Sequence, residues 1–287
     1  MKNKVAPHRS IQRVCDYIAQ NLDIPMSIEH LSDVAALSKY HFHRLFVANM
    51  HITVSKYILL ARLKRASFEL VFETDKKILD IAIKAGFDSA EAFSRAFKRT
   101  FNQTPSGFRS APKWPQWHAV FEFTLASNPL VLLDVTVDVF PKTMIAFIEH
   151  RGAADRVYET AGQFVSWRKA SGLSPIHSSK TFGIPNGDPN TMIPEAFRFK
   201  ICGSVCKSIP NNAFSVHNAE IPEMRCAKVR HRGSHEALDN TINAFYQQWF
   251  VDRDEQPAEH PCFFQYINLI HEVDECDLLT DIFLPLR

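Results

Sequence analysis

The stretch AGFDSAEAFSRAFKRTFNQTPSGFR, residues 85–109, decides the fold of the first part of the chain. Its apolar residues recur at helical spacing on either side of a break at Gly86, which predicts a short helix, a turn and a second helix. Asp88 and Glu91 have the spacing of a capping box that opens the second helix. Thr104-Pro105 predicts a short closing helix, because threonine caps helix starts and proline fits the first helical position.

The same layout occurs once before in the chain. Residues 28–46 form two short blocks of apolar residues at helical spacing, and Ser27 and Ser38 are placed to cap them. An aromatic, arginine, aromatic pattern recurs 51 residues apart in the two copies, as Phe42, Arg44, Phe46 and as Phe93, Arg95, Phe97. We therefore predict two helix-turn-helix units. The alternative is a plain helical bundle, in which the aromatic residues fill a core and the arginines are solvated.

A long helix is predicted between the two units. Residues 54–72 carry apolar side chains at helical spacing, and Thr53 is the expected cap. About 20 residues at ~1.5 Å each give a rod of roughly 30 Å. This length is close to the ~34 Å that separates successive major-groove segments on one face of DNA. Two recognition helices of one chain are thus expected to enter adjacent grooves.

Charge is distributed unevenly along the 287 residues. Residues 1–112 hold 17 Lys and Arg against 10 Asp and Glu, a net charge of +7, whereas residues 113–287 have a net charge of −5. A basic first part suits contact with phosphate groups. The longest apolar run is far too short to span a membrane, and the amino terminus lacks the pattern of a secretion signal. We therefore expect a cytoplasmic protein without membrane contact.

Residues 28–109 resemble the DNA-binding domain of the AraC/XylS family, above all in residues 85–109. The segment LSKYHFHRLF, residues 37–46, is similar to the first recognition helix of family members that bind asymmetric DNA sites as monomers. The resemblance implies a sequence-specific transcription regulator whose partners are double-stranded DNA and RNA polymerase.

The resemblance also implies which side chains meet DNA. Arginine can grip guanine O6 and N7, Glu91 can accept from cytosine N4, and Ala90 can only touch a thymine methyl group. The expected base-reading residues are Tyr40, His43, Arg44, Ala90, Glu91, Ser94 and Arg95. The residues expected to contact phosphate are Lys39, Arg62, Lys98 and Arg99.

The second part of the chain has a different pattern, with alternating residues typical of strands. MIAFIEHRG, residues 144–152, is echoed by RCAKVRHRG, residues 225–233, and an apolar helical stripe follows each copy. Further strands are predicted at residues 180–184, 197–205, 263–269 and 278–284. The prediction is an α+β domain of two pseudo-repeats around an antiparallel sheet.

This second part resembles the GyrI-like effector-binding domain, on its two His-Arg-Gly turns, GIPNGDP at residues 183–189 and TDIFLPL at residues 280–286. The predicted organisation is a DNA-binding domain at 1–111, a proline- and tryptophan-rich linker at 112–133, and a GyrI-like domain at 134–287. The resemblance implies a groove between the two halves that holds a small, often aromatic effector. The residues expected to line that groove are Gln265, Trp167, Trp249 and Tyr266.

One departure from that family affects the expected chemistry. Many relatives carry a groove-facing glutamate where this chain has Gln265, and an amide cannot neutralise a cationic ligand. We predict no catalytic residues, no metal site, no cofactor and no enzymatic activity. His150 and His231 are expected to stabilise turns, and Cys202 and Cys206 to be reduced thiols rather than a redox or metal pair. Two alternatives stay open for the second domain, a protein-interaction module and a small-molecule hydrolase.

Overall fold

A computed structural model describes residues 9–121, 133–187, 189, 192–249 and 255–287. These residues divide into two compact units. The first contains residues 9–121 together with the separate segment Ile270–Asp277, and the second contains the remaining described residues from 133 onward. Within the described ranges, no helix combines the length and the apolar character that crossing a membrane requires.

The first unit is all-helical around the two predicted helix-turn-helix units, which confirms the predicted fold class. The long helix between them has the predicted bounds. The helices are α1 (Arg9–Gln20), α2 (Ile28–Ala35), α3 (Lys39–Met50), α4 (Val54–Phe72), α5 (Ile78–Lys84), α6 (Ala90–Phe101), α7 (Pro105–Ser110) and α8 (Trp114–Phe121).

Hydroxyl side chains cap five of these helices, each accepting from the backbone N–H three residues further along. Four of the five caps are the predicted ones; the set is Ser27, Ser38, Thr53, Ser89 and Thr104. The prediction that Asp88 caps α6 is wrong. Ser89 is the cap and accepts from the N–H of Ala92 at 3.1 Å. The helix therefore begins one residue later than the capping-box pattern indicated.

Within the first compact unit, each of the two helix-turn-helix units has its own apolar core. The first packs α1 against the inner faces of α2 and α3, with Phe42 and Phe46 fully buried. In the second, Phe93 and Phe97 are fully buried, and Phe97 packs edge-on against Phe108 of α7. The aromatic residues of each recognition helix therefore face inward, and the arginine between them is left on the opposite side.

The segment predicted as a linker starts with a helix, and this differs from the prediction. Trp114 and Trp117 of α8 are fully buried, and their rings lie 5.8 and 5.1 Å from the ring of Phe68 in α4. The tryptophans bury a large apolar area against the first unit, which favours an ordered helix over a free connection. The remainder of the predicted linker, residues 122–132, lies outside the described residues.

The segment Ile270–Asp277 belongs to the first unit, although it connects two strands of the second. Arg65 of α4 donates to Asp274 at 2.7 Å, and Lys64 pairs with Glu275 at 2.9 Å. The Arg65 side chain is only 8% exposed and also pairs with Asp23, which lies three residues after α1. Two basic side chains of the long helix are thus neutralised by carboxylates more than 200 residues away.

The second unit contains an eight-stranded sheet in which every pair of neighbouring strands is antiparallel. The order across the sheet is β1-β6-β8-β7-β3-β4-β2-β5. The strands are β1 (Val135–Phe140), β2 (Thr143–Arg151), β3 (Thr181–Asn186), β4 (Arg198–Ser204), β5 (His217–Ile221), β6 (Met224–Arg232), β7 (Phe263–Tyr266) and β8 (Leu279–Pro285).

The sheet consists of two related halves that meet where β7 pairs with β3, and this confirms the predicted pseudo-repeat. Helices α9 (Val157–Ser171) and α10 (Leu238–Ala244) follow equivalent strands β2 and β6. Both helices pack on the same face of the sheet, because each covers residues that share one side of the pleat, such as Ala146 and Ile148 under α9 and Ala227 and Val229 under α10.

Candidate DNA-binding surface and effector groove

The recognition helix α3 presents basic and polar side chains to solvent. His43 and Arg44 are exposed, on the side of the helix opposite to Phe42 and Phe46. Lys39 is exposed as well, and it is hydrogen-bonded to Glu29 of α2, which lowers the pKa of that carboxyl group. The side chain of Tyr40, predicted to read bases, lies outside the described part of the structure.

The recognition helix α6 presents a similar surface. Glu91 and Arg95 are exposed, and Ala90 and Ser94 are half-buried beside them. Three basic side chains and one amide then line a shallow concavity of about 490 Å³, formed by Arg95, Lys98, Arg99 and Asn102. Such a cluster attracts an anionic partner because the cationic groups lie together on one face. Asn102 had no part in the predicted site.

The two helices place their arginines at the same position. Arg44 is the sixth residue of α3 and Arg95 the sixth residue of α6, and in both helices a capping serine precedes the first residue. A guanidinium group offers a planar donor fork that fits guanine O6 and N7 in the major groove. The arrangement therefore supplies two equivalent candidate base contacts from one chain.

Arg62 differs from the other predicted phosphate contacts. Its Nε donates to the carbonyl of Leu22 at 3.0 Å and its Nη2 to the carbonyl of Ile24 at 2.8 Å. Burial lowers the pKa of this guanidinium group, and a Cβ at Gly86 would lie 2.6 Å from its Nη1. The structure favours a packing role for Arg62, which fixes the chain after α1, over the predicted phosphate contact.

The structure brings together only some of the four residues predicted to line one effector groove. Trp249 and Tyr266 belong to the same apolar cluster near α10. Trp167 of α9 is buried against Phe164 of the same helix, in the cluster of the other half. Gln265 and Tyr266 are neighbours in β7, so their side chains point to opposite faces of the sheet. The prediction that Gln265 shares a groove with Tyr266 is therefore wrong, because Gln265 lies on the other face of the sheet. The tryptophans pack helix on sheet because burial of their large apolar rings stabilises each half.

Tyr266 lies at the junction between the halves on the helix-covered face, together with residues that were not predicted. Gly183 of β3 leaves a space that Phe199 and Tyr266 fill, since a Cβ at Gly183 would lie 2.6 Å from Cζ of Phe199 and from the hydroxyl oxygen of Tyr266. Burial raises the pKa of the Tyr266 hydroxyl. Thr280, directly opposite Tyr266, is fully buried, and its hydroxyl has no hydrogen-bond partner among the described residues.

Of these junction residues, the sequence predicted Tyr266 and missed Gly183, Phe199 and Thr280. Alternation along β7 already separates Gln265 from Tyr266. On the other face, Gln265 lies opposite Asp281, which Arg230 holds with two hydrogen bonds of 2.6 and 2.9 Å. The carboxylate beside Gln265 is therefore already neutralised by an arginine. Gln265 does not share the face of the junction residues.

The two repeated histidines stabilise matching turns. His150 contacts the hydroxyl of Thr160 and the carbonyl of Ala153, and His231 makes the same contacts with Thr241 and Ser234. Each bonds its own helix back to the strand end, as expected for a structural role. Burial lowers the pKa of His231, which favours its neutral form.

The thiols of Cys202 and Cys206 do not form a matched pair, since Cys202 is buried and Cys206 is exposed. Burial also raises the pKa of Cys202, so its thiolate is disfavoured at neutral pH.

Comparison with known proteins finds a family match in each part of the chain. Residues 133–287 match the GyrI-like small molecule binding domain, and residues 31–111 match a helix-turn-helix domain. Over 154 residues the chain is 39% identical to "Probable transcriptional regulator YgiV" of Escherichia coli (strain K12), covering 54% of this chain and 96% of that protein. It is 29% identical over 179 residues to "Transcriptional regulator Rob" of Salmonella typhimurium, covering 61% of each.

Among solved structures, the crystal structure of the EcmrR C-terminal domain matches with a TM-score of 0.47 and 16% identity, over 55% of this chain and 99% of that one.

Proposed function

This chain belongs to the GyrI-like family and joins that domain to an AraC-type helix-turn-helix domain, and from this we propose how such a DNA-binding transcription regulator works. Its first unit reads an asymmetric DNA site across two major-groove segments. Its second unit senses a small molecule and changes the action of the first. Any change in DNA affinity must come from a ligand that binds two states of the protein unequally.

The observation that carries the proposal is the equivalence of Arg44 and Arg95. Both are exposed at the sixth position of a capped recognition helix, and a helix of 19 residues, about 28 Å long, connects the two units. That length is close to the ~34 Å repeat of the major groove. One chain can therefore supply both halves of a site without a dimer.

Residue roles follow from exposure and charge. His43, Arg44, Glu91 and Arg95, with the half-buried Ala90 and Ser94 beside them, are assigned to base edges. Tyr40 is assigned to a base edge from the family resemblance alone. Lys39, Lys98 and Arg99 are assigned to phosphate groups, whereas Arg62 is left out because its guanidinium already bonds two carbonyls.

For the second unit, we propose that the effector lies at the junction of the two halves. Support comes from the aromatic rings of Phe199 and Tyr266 over Gly183 and from the buried hydroxyl of Thr280, for which the described part of the chain offers no hydrogen-bond partner. An apolar site with a few polar groups is typical of small-molecule binding. The effector would displace the ring of Phe199 or Tyr266 and form a hydrogen bond with the hydroxyl of Thr280. The unit acts by binding rather than by catalysis in this proposal.

Two further features are proposed from the family resemblance. The regulator contacts RNA polymerase at its target promoters, and it acts in the cytoplasm. Both follow from its being a DNA-binding regulator of the AraC type rather than from any particular side chain.

The test is genome-wide capture of DNA bound by the tagged full-length protein, repeated with Arg44→Ala and Arg95→Ala. Arg156→Ala is the matched control, because Arg156 is an exposed arginine of the second unit that is paired with Glu159. Recurrent asymmetric sites are expected for the wild type and the control. The DNA sites bound by each recognition-helix variant should no longer share the bases of one half-site. Each lost base contact should weaken binding by about 1–3 kcal/mol.

If both recognition-helix variants bind the same sites as the wild type, Arg44 and Arg95 do not read bases. A palindromic site that requires two chains would contradict the monomeric arrangement. Thermal unfolding is measured in parallel, and the comparison uses only variants whose unfolding temperature equals that of the wild type.

A further inference from the structure

The second unit contains a cleft of about 770 Å³ at one edge of its sheet, well away from the junction of the halves in the order of strands. Its walls come only from the first half: β2 and β4, one side of α9, and the loop before β5. This volume falls in the range of small-molecule sites, roughly 300–1,000 Å³. Neither the proposed effector junction nor the DNA-binding surface includes any of these residues.

The cleft exists because the chain turns away from β2. Strand β5 pairs with β2 only as far as Phe147 opposite His217, whereas β2 continues beside β4 to Arg151. Just before β5, Ser215 adopts a left-handed backbone conformation with φ of 56°. For a residue with a side chain this conformation is uncommon and is kept only where the surroundings enforce it.

Two asparagines hold the loop in that conformation. The side chain of Asn212 accepts from the N–H groups of Phe214 and Val216 and donates to the carbonyl of Val216. Asn218 bonds both backbone groups of Ile209 at 2.7 and 2.9 Å. The loop wall is therefore preorganised, which lowers the entropic cost of binding a ligand there.

Aromatic rings and one lysine define the chemistry of the cleft. The ring of His217 lies 5.8 Å from that of Phe147, and Phe214 in the loop is 39% exposed, so its ring is accessible to a ligand. The Nζ of Lys200 lies 4.9 Å from the centroid of the Phe147 ring. A flat aromatic ligand can pack against such rings.

Charge in the cleft favours an anion. Glu149 also lines it, but Arg151 donates to this carboxylate at 2.8 Å and compensates its charge. Lys200 has no carboxylate within ion-pair distance in the part of the chain that the structure describes. The remaining polar groups, such as the Gln163 amide on α9, can donate hydrogen bonds.

We propose that this cleft binds a planar aromatic carboxylate, with its ring against Phe147 and Phe214 and its carboxylate on Lys200. It is a second ligand site, separate from the junction of the halves. The inference rests on the proposed function only where binding is expected to alter DNA affinity; binding itself requires no DNA.

The experiment is isothermal titration calorimetry of the full chain with 2-naphthoate, and with 2-naphthylmethanol and 2-naphthylmethylammonium as ligands of similar shape and different charge. The carboxylate should bind about tenfold tighter than the cation, because a charge-assisted bond to Lys200 forms only with the anion. Lys200→Met should weaken 2-naphthoate about tenfold and leave the alcohol unchanged. Lys207→Met, at an exposed loop lysine outside the cleft, is the matched control and should change neither.

Phe214→Ala is the second variant, because an exposed loop residue can be truncated with little risk to the fold. It should weaken the acid and the alcohol alike by about three- to tenfold, since both use the ring. The proposal is overturned if 2-naphthoate does not bind, if the cation binds as well as the acid, or if neither variant alters binding. Absence of recurrent DNA sites for the wild-type protein in the regulator test, together with intact 2-naphthoate binding, would count against the proposed function alone.

Discussion

Arginine side chains in the first unit fall into two groups that burial separates. Arg44 and Arg95 lie exposed on recognition helices, whereas Arg62 and Arg65 of α4 have their guanidinium groups bonded to carbonyls and carboxylates of the protein. Helical periodicity predicted the exposed pair, because Phe42 and Phe46 define the opposite face. It could not reveal the role of Arg62, since its partners Leu22 and Ile24 are about 40 positions earlier in the chain.

The two groups should respond differently to truncation. Arg62→Ala is expected to lower the free energy of unfolding by about 1 kcal/mol, because the part-buried carbonyl of Leu22 and the exposed carbonyl of Ile24 lose a charged donor. It should leave the salt dependence of DNA binding unchanged. Lys98→Ala should instead leave stability unchanged and reduce the slope of log affinity against log salt by about 0.9, as expected when one phosphate contact is lost.

Urea unfolding and DNA titration at several salt concentrations measure both effects. Arg62→Met serves as the control for side-chain bulk, because it keeps most of the apolar stem and removes the donors. If Arg62→Ala is as stable as the wild type and has a reduced salt slope, the result would support the phosphate contact predicted from the sequence.

At the scale of elements, the two helix-turn-helix units differ by one residue in the turn. Ala36 ends α2 with φ of 54°, and Gly86 occupies the equivalent position after α5 with φ of 78°. The first helices of the units are 50 residues apart and the second helices 51, so the second turn is one residue longer. This extra residue explains why Ser89 rather than Asp88 caps α6.

The left-handed residue in each turn predicts opposite effects of exchanging alanine and glycine. Ala36→Gly should raise the free energy of unfolding by about 0.5–1 kcal/mol, because the left-handed penalty of an alanine exceeds the entropy that glycine adds to the unfolded chain. Gly86→Ala should lower it by about 1–2 kcal/mol or more, since its Cβ would also meet Arg62.

Chemical unfolding of both variants measures these differences. Ala85→Gly, at a buried position beside Gly86 where φ is −78°, is the control and should destabilise. A destabilising Ala36→Gly substitution would contradict the assigned turn.

The strand-end histidine of the second half predicts a pH dependence. The pKa of His231 is lowered from 6.5 by burial, so the unfolded chain binds a proton more readily than the folded one. Its contribution to stability is fully present above pH 6.5 and is lost as the pH falls toward the folded-state pKa. Unfolding free energy should therefore decrease between pH 7.5 and 5.5.

His231→Gln removes the titrating group and should flatten this part of the pH profile, although the variant is less stable at pH 7.5. Urea unfolding followed at four pH values gives the comparison, with His177→Gln, an exposed loop histidine, as the control. An equal slope in wild type and His231→Gln would assign the pH dependence to other groups.

Elements with a strong local signal were predictable, and those defined by distant contacts were not. The bounds of α4 and four helix caps follow from periodicity and hydroxyl placement alone. Helix α8 was interpreted as linker because of its prolines, yet Pro115 is tolerated at a helix start and the tryptophans beside it find an aromatic core in α4 and α6. The effector residues could be grouped only after the register of β7 and β3 was known.

At the scale of the whole chain, some of the acidic residues of the second part form ion pairs with basic residues of the first unit. The segment Ile270–Asp277 lies in the acidic part of the sequence but belongs to the basic first unit, where it neutralises Lys64 and Arg65. His271 adds a contact with Glu73 at 3.1 Å and packs against the ring of Phe72. No sequence pattern predicts pairs separated by 209 and 211 positions.

The segment should therefore contribute to the stability of the DNA-binding unit in the intact chain. Removing one partner of a buried ion pair costs about 3–5 kcal/mol, and Asp23 remains beside Arg65, so Asp274→Asn should cost less, about 1–3 kcal/mol. Hydrogen exchange should accelerate in α1 and α4, which contact Arg65 and its partners, and stay unchanged in the sheet of the second unit. Glu223→Gln, an exposed carboxylate in the turn before β6, is the matched control. Faster exchange throughout the sheet, with α4 unaffected, would show that the carboxylate supports the second unit instead, and unchanged exchange everywhere would show that the pair contributes nothing measurable.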